Sequence, residues 1–246
     1  MTAALETIGV HKNFGGIVAT DDVSFKLDKG ARQALIGPNG AGKTTFINLL
    51  TGMLRPTGGR ILLDGEDITN LAPHMRVRRG IARTFQINQL FGDLTPLETI
   101  ALAVSERLGA GTNWWRPPKA SDDLLDLLDR FRLADVMHER TATLPYGRQR
   151  LLEIALACAC KPHVLLLDEP MAGVPTGESE EILATLAALP KDVSVLLIEH
   201  DMDLVFRFAS RVSVLVDGAM LAEGDAADIA RDPRVKAAYL GEATYA

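Results

Sequence analysis

No stretch of this sequence approaches the roughly 18 consecutive apolar residues of a membrane-spanning helix. The longest apolar stretch, Leu151 to Leu167, is broken by Glu153 and Lys161. The opening segment, Met1 to Glu6, has neither the basic n-region nor the apolar core of a secretory leader. The expectation is a soluble chain, one that can still dock on a membrane protein. Positive charge is also short: 26 Lys and Arg stand against 32 Asp and Glu, a net charge of −6. A nucleic-acid surface ordinarily needs a basic face, so no nucleic-acid partner is expected. Cysteine is nearly absent. Cys158 and Cys160 are the only two, and at that spacing on a helix their side chains diverge. They read as small buried hydrophobes rather than a disulfide or a metal pair, and they suit a reducing cytoplasm. There is no internal repeat and no low-complexity tract. What remains is a chain of 246 residues, 47% apolar, with enough material for a sizeable core in one large domain or two small ones.

The most informative stretch is Gly37-Pro38-Asn39-Gly40-Ala41-Gly42-Lys43-Thr44-Thr45, which fits the Walker A pattern G-x-x-x-x-G-K-[ST]. Ala34, Leu35 and Ile36 before it read as the end of a buried strand, and Phe46, Ile47, Leu49 and Leu50 after it read as a helix. That context is what a phosphate loop needs. Glycine lets the backbone curl so that its N–H groups face phosphate oxygens, and the helix adds the positive end of its dipole. In such a loop Lys43 reaches the outer phosphates and the Thr44 hydroxyl holds Mg²⁺.

Around this loop, strands are expected at Ile8–Val10, Val23–Leu27, Arg32–Ile36, Gly59–Leu63, Val164–Leu167, Ser194–Ile198 and Val212–Val216. Three of these, Val164–Leu167, Ser194–Ile198 and Val212–Val216, are apolar almost throughout, the mark of strands covered on both faces in a mostly parallel sheet. Asp217-Gly218 reads as a hairpin turn into Ala219–Glu223. From about Leu90 to Ala159 the pattern is helical. Thr95-Pro96-Leu97-Glu98 has the form of a capped helix start, and Ser121–Arg132 repeats Leu at helical spacing. Gly109–Ala120, with Trp114-Trp115-Arg116-Pro117-Pro118, reads as a surface loop. The expected organisation is an α/β nucleotide-binding core over 1–86 and 160–246, with a helical subdomain over 87–159 inserted into it.

Leu165-Leu166-Leu167-Asp168-Glu169-Pro170 is an apolar strand ending in two carboxylates. Asp168 there can hold Mg²⁺ through water, and Glu169 can orient a nucleophilic water. Leu144-Pro145-Tyr146-Gly147-Arg148-Gln149-Arg150 opens the helix that runs to about Cys160. This segment resembles the signature motif of ATP-binding-cassette ATPases. Arg83-Thr84-Phe85-Gln86 resembles the Q-loop of that family, and Ile198-Glu199-His200-Asp201-Met202 its switch-histidine segment. Val235-Lys236-Ala237-Ala238-Tyr239-Leu240-Gly241-Glu242 resembles the C-terminal signature of one subgroup, the ATPase subunits of branched-chain and hydrophobic amino-acid uptake systems, closer to the longer of the two paired types.

The resemblance covers nearly the whole chain, and what it implies can be stated residue by residue. The fold would be a P-loop core with an N-terminal antiparallel β subdomain and an inserted helical subdomain. Asn39, Gly40, Ala41, Gly42, Lys43, Thr44 and Thr45 would cradle ATP. Phe14 would stack on adenine, unless it is an ordinary core Phe, and Val18 would flank the ribose or base. Thr44, Gln86 and Asp168 would hold Mg²⁺, Glu169 would act on water, and His200 would donate to the γ-phosphate. Two ATPase subunits, identical or paired homologues, would face head to tail, each ATP lying between the Walker A of one and Tyr146, Gly147 and Arg148 of the other. The region after Gln86 would receive a membrane permease fed by a periplasmic binding protein. There Ile87, Leu90, Phe91 and Leu94 either line the groove or pack the subdomain. Trp114 and Trp115 either pack their own loop or touch permease or lipid. The chain departs from the family pattern at Pro145, where Ser is usual, at Arg148, where Gln is usual, and at Pro175, where Asp or Asn is common. The function implied is a cytoplasmic ATPase, peripheral on the inner face of the plasma membrane, that energises import of hydrophobic amino acids or related small carboxylates. An ATPase of a lipid or polysaccharide exporter, or a soluble ATPase of the family without a transport role, are the alternatives.

Overall fold

The structure is a computed structural model, and it describes residues 2–84, 90–108 and 122–240 apart from the side chains of Thr176 and Leu240. The chain divides into two compact units. One comprises Met1–Ile81, His163–Glu169 and Pro190–Ala246, the other Ala82–Pro162 and Pro170–Leu189.

The first unit holds two sheets. β1 (Ala3–Phe14) and β2 (Ile17–Asp28) form a long hairpin that closes through Gly15 and Gly16. With β4 (Gly58–Leu63) and β5 (Glu66–Asp67) they make an antiparallel sheet of order β2-β1-β4-β5. Within this unit the second sheet has the order β10-β9-β3-β8-β7, built from β3 (Arg32–Ile36), β7 (Val164–Asp168), β8 (Ser194–Ile198), β9 (Arg211–Val216) and β10 (Ala219–Asp225), while β6 (Ile81–Arg83) runs from the last residue of the segment Met1–Ile81 into the second unit. β3 pairs parallel with β8 and β9, and β7 parallel with β8, while β10 returns antiparallel to β9. β7 and β8 are buried along their whole length, as a strand covered on both faces requires. α1 (Lys43–Thr51) buries Phe46, Ile47, Leu49 and Leu50 between the sheets. The Phe25 and Phe46 rings meet edge to face at 5.7 Å, which joins the antiparallel sheet to α1. α2 (Pro73–Arg78), α7 (Met202–Phe208), α8 (Ala226–Ile229) and α9 (Pro233–Leu240) complete the unit.

The second unit is helical: α3 (Pro96–Arg107), α4 (Asp122–Arg130), α5 (Tyr146–Ala159) and α6 (Thr176–Ala187). α3 starts as its sequence directs. The Thr95 side chain accepts from the Glu98 N–H, and the Glu98 carboxylate accepts from the Thr95 N–H, so two amides without helical partners are satisfied at once. Ile100, Val104, Leu124, Leu128, Leu151, Ile154, Ile182 and Leu186 are buried.

The division differs from the sequence expectation, which placed all of 160–246 in the core. Pro170–Leu189 groups with the helical unit because α6 is bonded to its helices. The Glu178 carboxylate accepts from the Gly147 N–H, and Glu181 lies 3.5 Å from Arg132.

Candidate functional site

In the first unit the phosphate loop joins buried β3 to α1, and two features shape it. Gly42, at the N-cap of α1, has φ +97°, and a Cβ there would stand 2.4 Å from the Ala19 carbonyl oxygen. Only glycine permits that approach. Lys43 folds over the loop, its ammonium donating to the carbonyls of Gly37 at 2.5 Å and Pro38 at 3.0 Å. The Ala41 N–H donates inward to the Pro38 carbonyl at 3.2 Å, so its amide is engaged within the loop it helps to shape. The N–H groups of the first helical turn have no partners within the helix, and here they belong to Lys43, Thr44 and Thr45. Asn39, Gly40 and Thr44 are exposed.

Neighbouring strands supply the rest of this face. The Gly218 N–H donates to the Ala41 carbonyl at 3.0 Å, and the Asp21 N–H to the Gly218 carbonyl at 2.8 Å. The Asp217-Gly218 turn, legible in the sequence only as a hairpin, therefore buttresses the loop. Ala19 against Gly42 brings the β1–β2 hairpin alongside. Phe14 and Val18 lie near its closed end, about half exposed, with the Lys12 ammonium 5.1 Å above the Phe14 ring. Phe14 is thus not an interior core residue.

Asp168 ends β7 buried, and Glu169 follows at φ +46° with its N–H donating to the Ile198 carbonyl at 2.9 Å. A non-glycine residue there is strained by roughly 1–2 kcal/mol, and the strain turns Glu169 out of the strand line. His200 sits between β8 and α7, exposed, and is held from both sides. The buried Glu199 carboxylate accepts from the His200 N–H at 3.2 Å. Asp201 caps α7 by accepting from Asp203 and Leu204. Nothing in the sequence pattern alone gives Glu199 this role.

In the second unit, Pro145 is the N-cap of α5 and offers no side-chain cap. Tyr146 donates its hydroxyl to the Ala172 carbonyl at 3.2 Å, and Arg150 lies 5.2 Å over its ring. The Gly147 N–H donates to Glu178 Oε2 at 2.7 Å. Arg148 is turned toward Asp135, at 3.4–3.5 Å.

Residues 20–172 match the ABC transporter family, and residues 219–245 match the branched-chain amino acid ATP-binding cassette transporter family. The chain belongs to the ABC transporter family. The cassette is 40% identical to the high-affinity branched-chain amino acid transport ATP-binding protein BraF of Pseudomonas aeruginosa, over 97% of this chain and 98% of that one. It is 38% identical to LivG of Escherichia coli, which carries the same description, with the same coverage. Among solved structures, the ADP conformation of MJ1267, an ATP-binding cassette of an ABC transporter, superposes with a TM-score of 0.86 at 31% identity, over 98% of this chain and all of that one. The cassette is an ATPase with the α/β P-loop fold of that family.

The residues fit the expected ligands. The glycine cradle at Gly42, the helix N-terminus and the Lys43 ammonium suit a polyphosphate. The Thr44 hydroxyl and the Asp168 carboxylate are hard oxygen donors of the kind Mg²⁺ takes. Gln86, Ile87, Trp114, Trp115, Gly241 and Glu242 lie outside the described residues. Of the apolar residues expected to line a groove, Phe91 is 66% exposed. Cys158 and Cys160 are free, and burial pushes the Cys158 thiol up to about 12. Among the described residues no helix is long and apolar enough to cross a membrane.

Proposed function

We propose that this cassette is the ATP-hydrolysing subunit of an importer for branched-chain and other hydrophobic amino acids. The observation that carries the reading is the phosphate loop closed over Lys43, in a chain whose relatives over their full length are branched-chain amino acid transport ATP-binding proteins.

In this reading Asn39, Gly40, Ala41, Gly42, Thr44 and Thr45 form the cradle, and Lys43 leaves its loop carbonyls for the outer phosphates. Phe14 and Val18, both exposed near the hairpin end, meet the adenine and ribose. Mg²⁺ held by Thr44, Gln86 and Asp168 would neutralise charge on the terminal phosphates. Glu169, turned out of its strand by its backbone conformation, accepts a proton from the attacking water, and His200 donates to the γ-phosphate. Tyr146, Gly147 and Arg148 face the nucleotide of a second subunit, so hydrolysis requires two cassettes head to tail. Permease subunits dock on the helical unit, a periplasmic binding protein delivers the solute, and the assembly sits on the inner face of the plasma membrane.

The test is ATP turnover by the assembled complex, with the binding protein added, against a panel of leucine, isoleucine, valine, phenylalanine, urea and short amides. Stimulation by the branched-chain and hydrophobic amino acids is expected. Stimulation by urea or amides alone would overturn the substrate class.

A further inference from the structure

The signature helix α5 already carries an anion. Gly147 is its second residue, and the Gly147 N–H is held at 2.7 Å by the Glu178 carboxylate from the first turn of α6. Pro145 at the N-cap cannot supply that acceptor, so α6 caps α5 from outside. Gly147 is what lets the carboxylate in: a Cβ there would stand 2.2 Å from Glu178 Oε2 and 3.0 Å from Glu178 Cβ.

We propose that Glu178 is an internal gate on the signature helix, an anion that the terminal phosphate of the partner's ATP must displace before two cassettes can close. The inference rests on the head-to-tail sharing of ATP proposed above. The gate follows from occupancy. A carboxylate oxygen and a phosphate oxygen cannot both sit at hydrogen-bond distance from one N–H without like charges in contact. With Pro145 in place of a hydroxyl residue, the backbone donors are what remains for the phosphate, and Glu178 holds the one on Gly147. The displaced carboxylate has a place to go. A cavity of about 140 Å³ adjoins it, walled by Pro145, Arg148, Leu151 and Glu181. Arg148 is the cation in that wall, and its contacts to Asp135 are long, at 3.4–3.5 Å. In the closed state Glu178 swings to Arg148, and the phosphate takes Gly147.

The measurement is the ATP concentration for half-maximal dimerisation in a Glu169→Gln background, alone and combined with Glu178→Gln or Glu178→Ala. Gln keeps the shape and an acceptor for the Gly147 N–H but loses the charge, so the fold is retained. Because a hydrogen bond to a charged group exceeds a neutral one by about 1 kcal/mol or more, Glu178→Gln should lower the required ATP by roughly five- to tenfold. The melting temperature without nucleotide should fall by a few degrees for Gln, from the weaker bond, and further for Ala. Unchanged or weaker dimerisation in the Gln variant would overturn the gate and leave Glu178 a helix cap. If the Glu169→Gln parent fails to dimerise with ATP at all, the shared-nucleotide reading itself is wrong, and that failure is visible before any Glu178 variant is made.

Discussion

Lys43 and Gly37 stand at opposite ends of the phosphate loop, and the Lys43 ammonium donates to the Gly37 carbonyl at 2.5 Å. The lysine both closes the loop and carries its positive charge. Lys43→Ala should remove both roles. The expected result is at least tenfold weaker ATP binding, from losing charge-assisted bonds of about 1.5–3 kcal/mol, and turnover at background. Isothermal titration and phosphate release check it, and turnover near that of the unmodified protein would contradict the assignment.

Glu169→Gln preserves volume and the strained backbone position at φ +46°, and removes the carboxylate that takes a proton from water. Turnover should fall by about 10²–10⁴-fold, the usual range for a general base, while ATP affinity holds. With repulsion against the γ-phosphate gone, ATP should collect this variant as a dimer on size exclusion. Near-normal turnover would remove Glu169 from the chemistry.

Gly147→Asp should be the most damaging change in the signature segment. A Cβ on residue 147 would already stand 2.2 Å from Glu178 Oε2, and the Asp carboxylate would add a second negative charge where a phosphate is proposed to bind. Arg148→Ala should weaken ATP-driven dimerisation by about 1–2 kcal/mol, and Pro145→Ala less, since no donor is lost. Dimerisation compared in the Glu169→Gln background gives the ranking, and an Arg148→Ala variant equal to its parent would confine Arg148 to its contact with Asp135.

Arg76 anchors the far end of the Walker helix. It is 1% exposed, and its guanidinium donates to the carbonyls of Leu49, Leu50, Thr69 and Leu71. Arg76→Leu strands the Leu50, Thr69 and Leu71 carbonyls, while Leu49 keeps the Gly52 N–H at 3.2 Å, and should cost about 3–5 kcal/mol, at 1–3 kcal/mol for each buried group left unpaired and partly relaxed. Burial pushes the Arg76 guanidinium down to about 10. The folded state therefore binds this proton less tightly than the unfolded chain, and the linkage raises stability only above about pH 10. Between about pH 5 and 9 Arg76 is charged in both states, so urea unfolding should show a deficit that is flat with pH.

Asp64 gives the same sign of linkage in an acidic window, so its deficit does vary with pH. Burial acts to raise its carboxyl, but the Lys29 ammonium at 2.7 Å and the His163 ring at 3.5 Å outweigh it and hold the carboxyl below its ordinary value. A depressed carboxyl contributes stability above its unfolded value and loses it as pH falls. Asp64→Asn should cost up to about 1 kcal/mol at neutral pH, and the gap should close on acidification to about pH 3. A gap that widens in acid would contradict the pairing.

What the sequence made legible was local. The phosphate loop, the Thr95–Glu98 capping box and the apolar strands β7 and β8 each depend on residues a few positions apart, and each stands where it was expected. β1 and β2 run much longer than their apolar centres, because pairing carries them through Gly9 and the Asp21-Asp22 pair with irregular register. The allegiance of α6 was hidden, since it is set by contacts such as Gly147 to Glu178, 31 positions apart. Glu178 was hidden for the same reason, whereas Glu199 bonds the N–H of the adjacent His200 and was missed because a lone carboxylate beside a histidine carries no pattern of its own.

The most direct measurement is uptake of labelled leucine into proteoliposomes carrying the cassette with its permease, with ATP on the cassette side and the loaded binding protein on the other. The account predicts ATP-dependent accumulation that disappears when Glu169→Gln replaces the cassette. No accumulation with the unmodified cassette, or equal accumulation with Glu169→Gln, would contradict it.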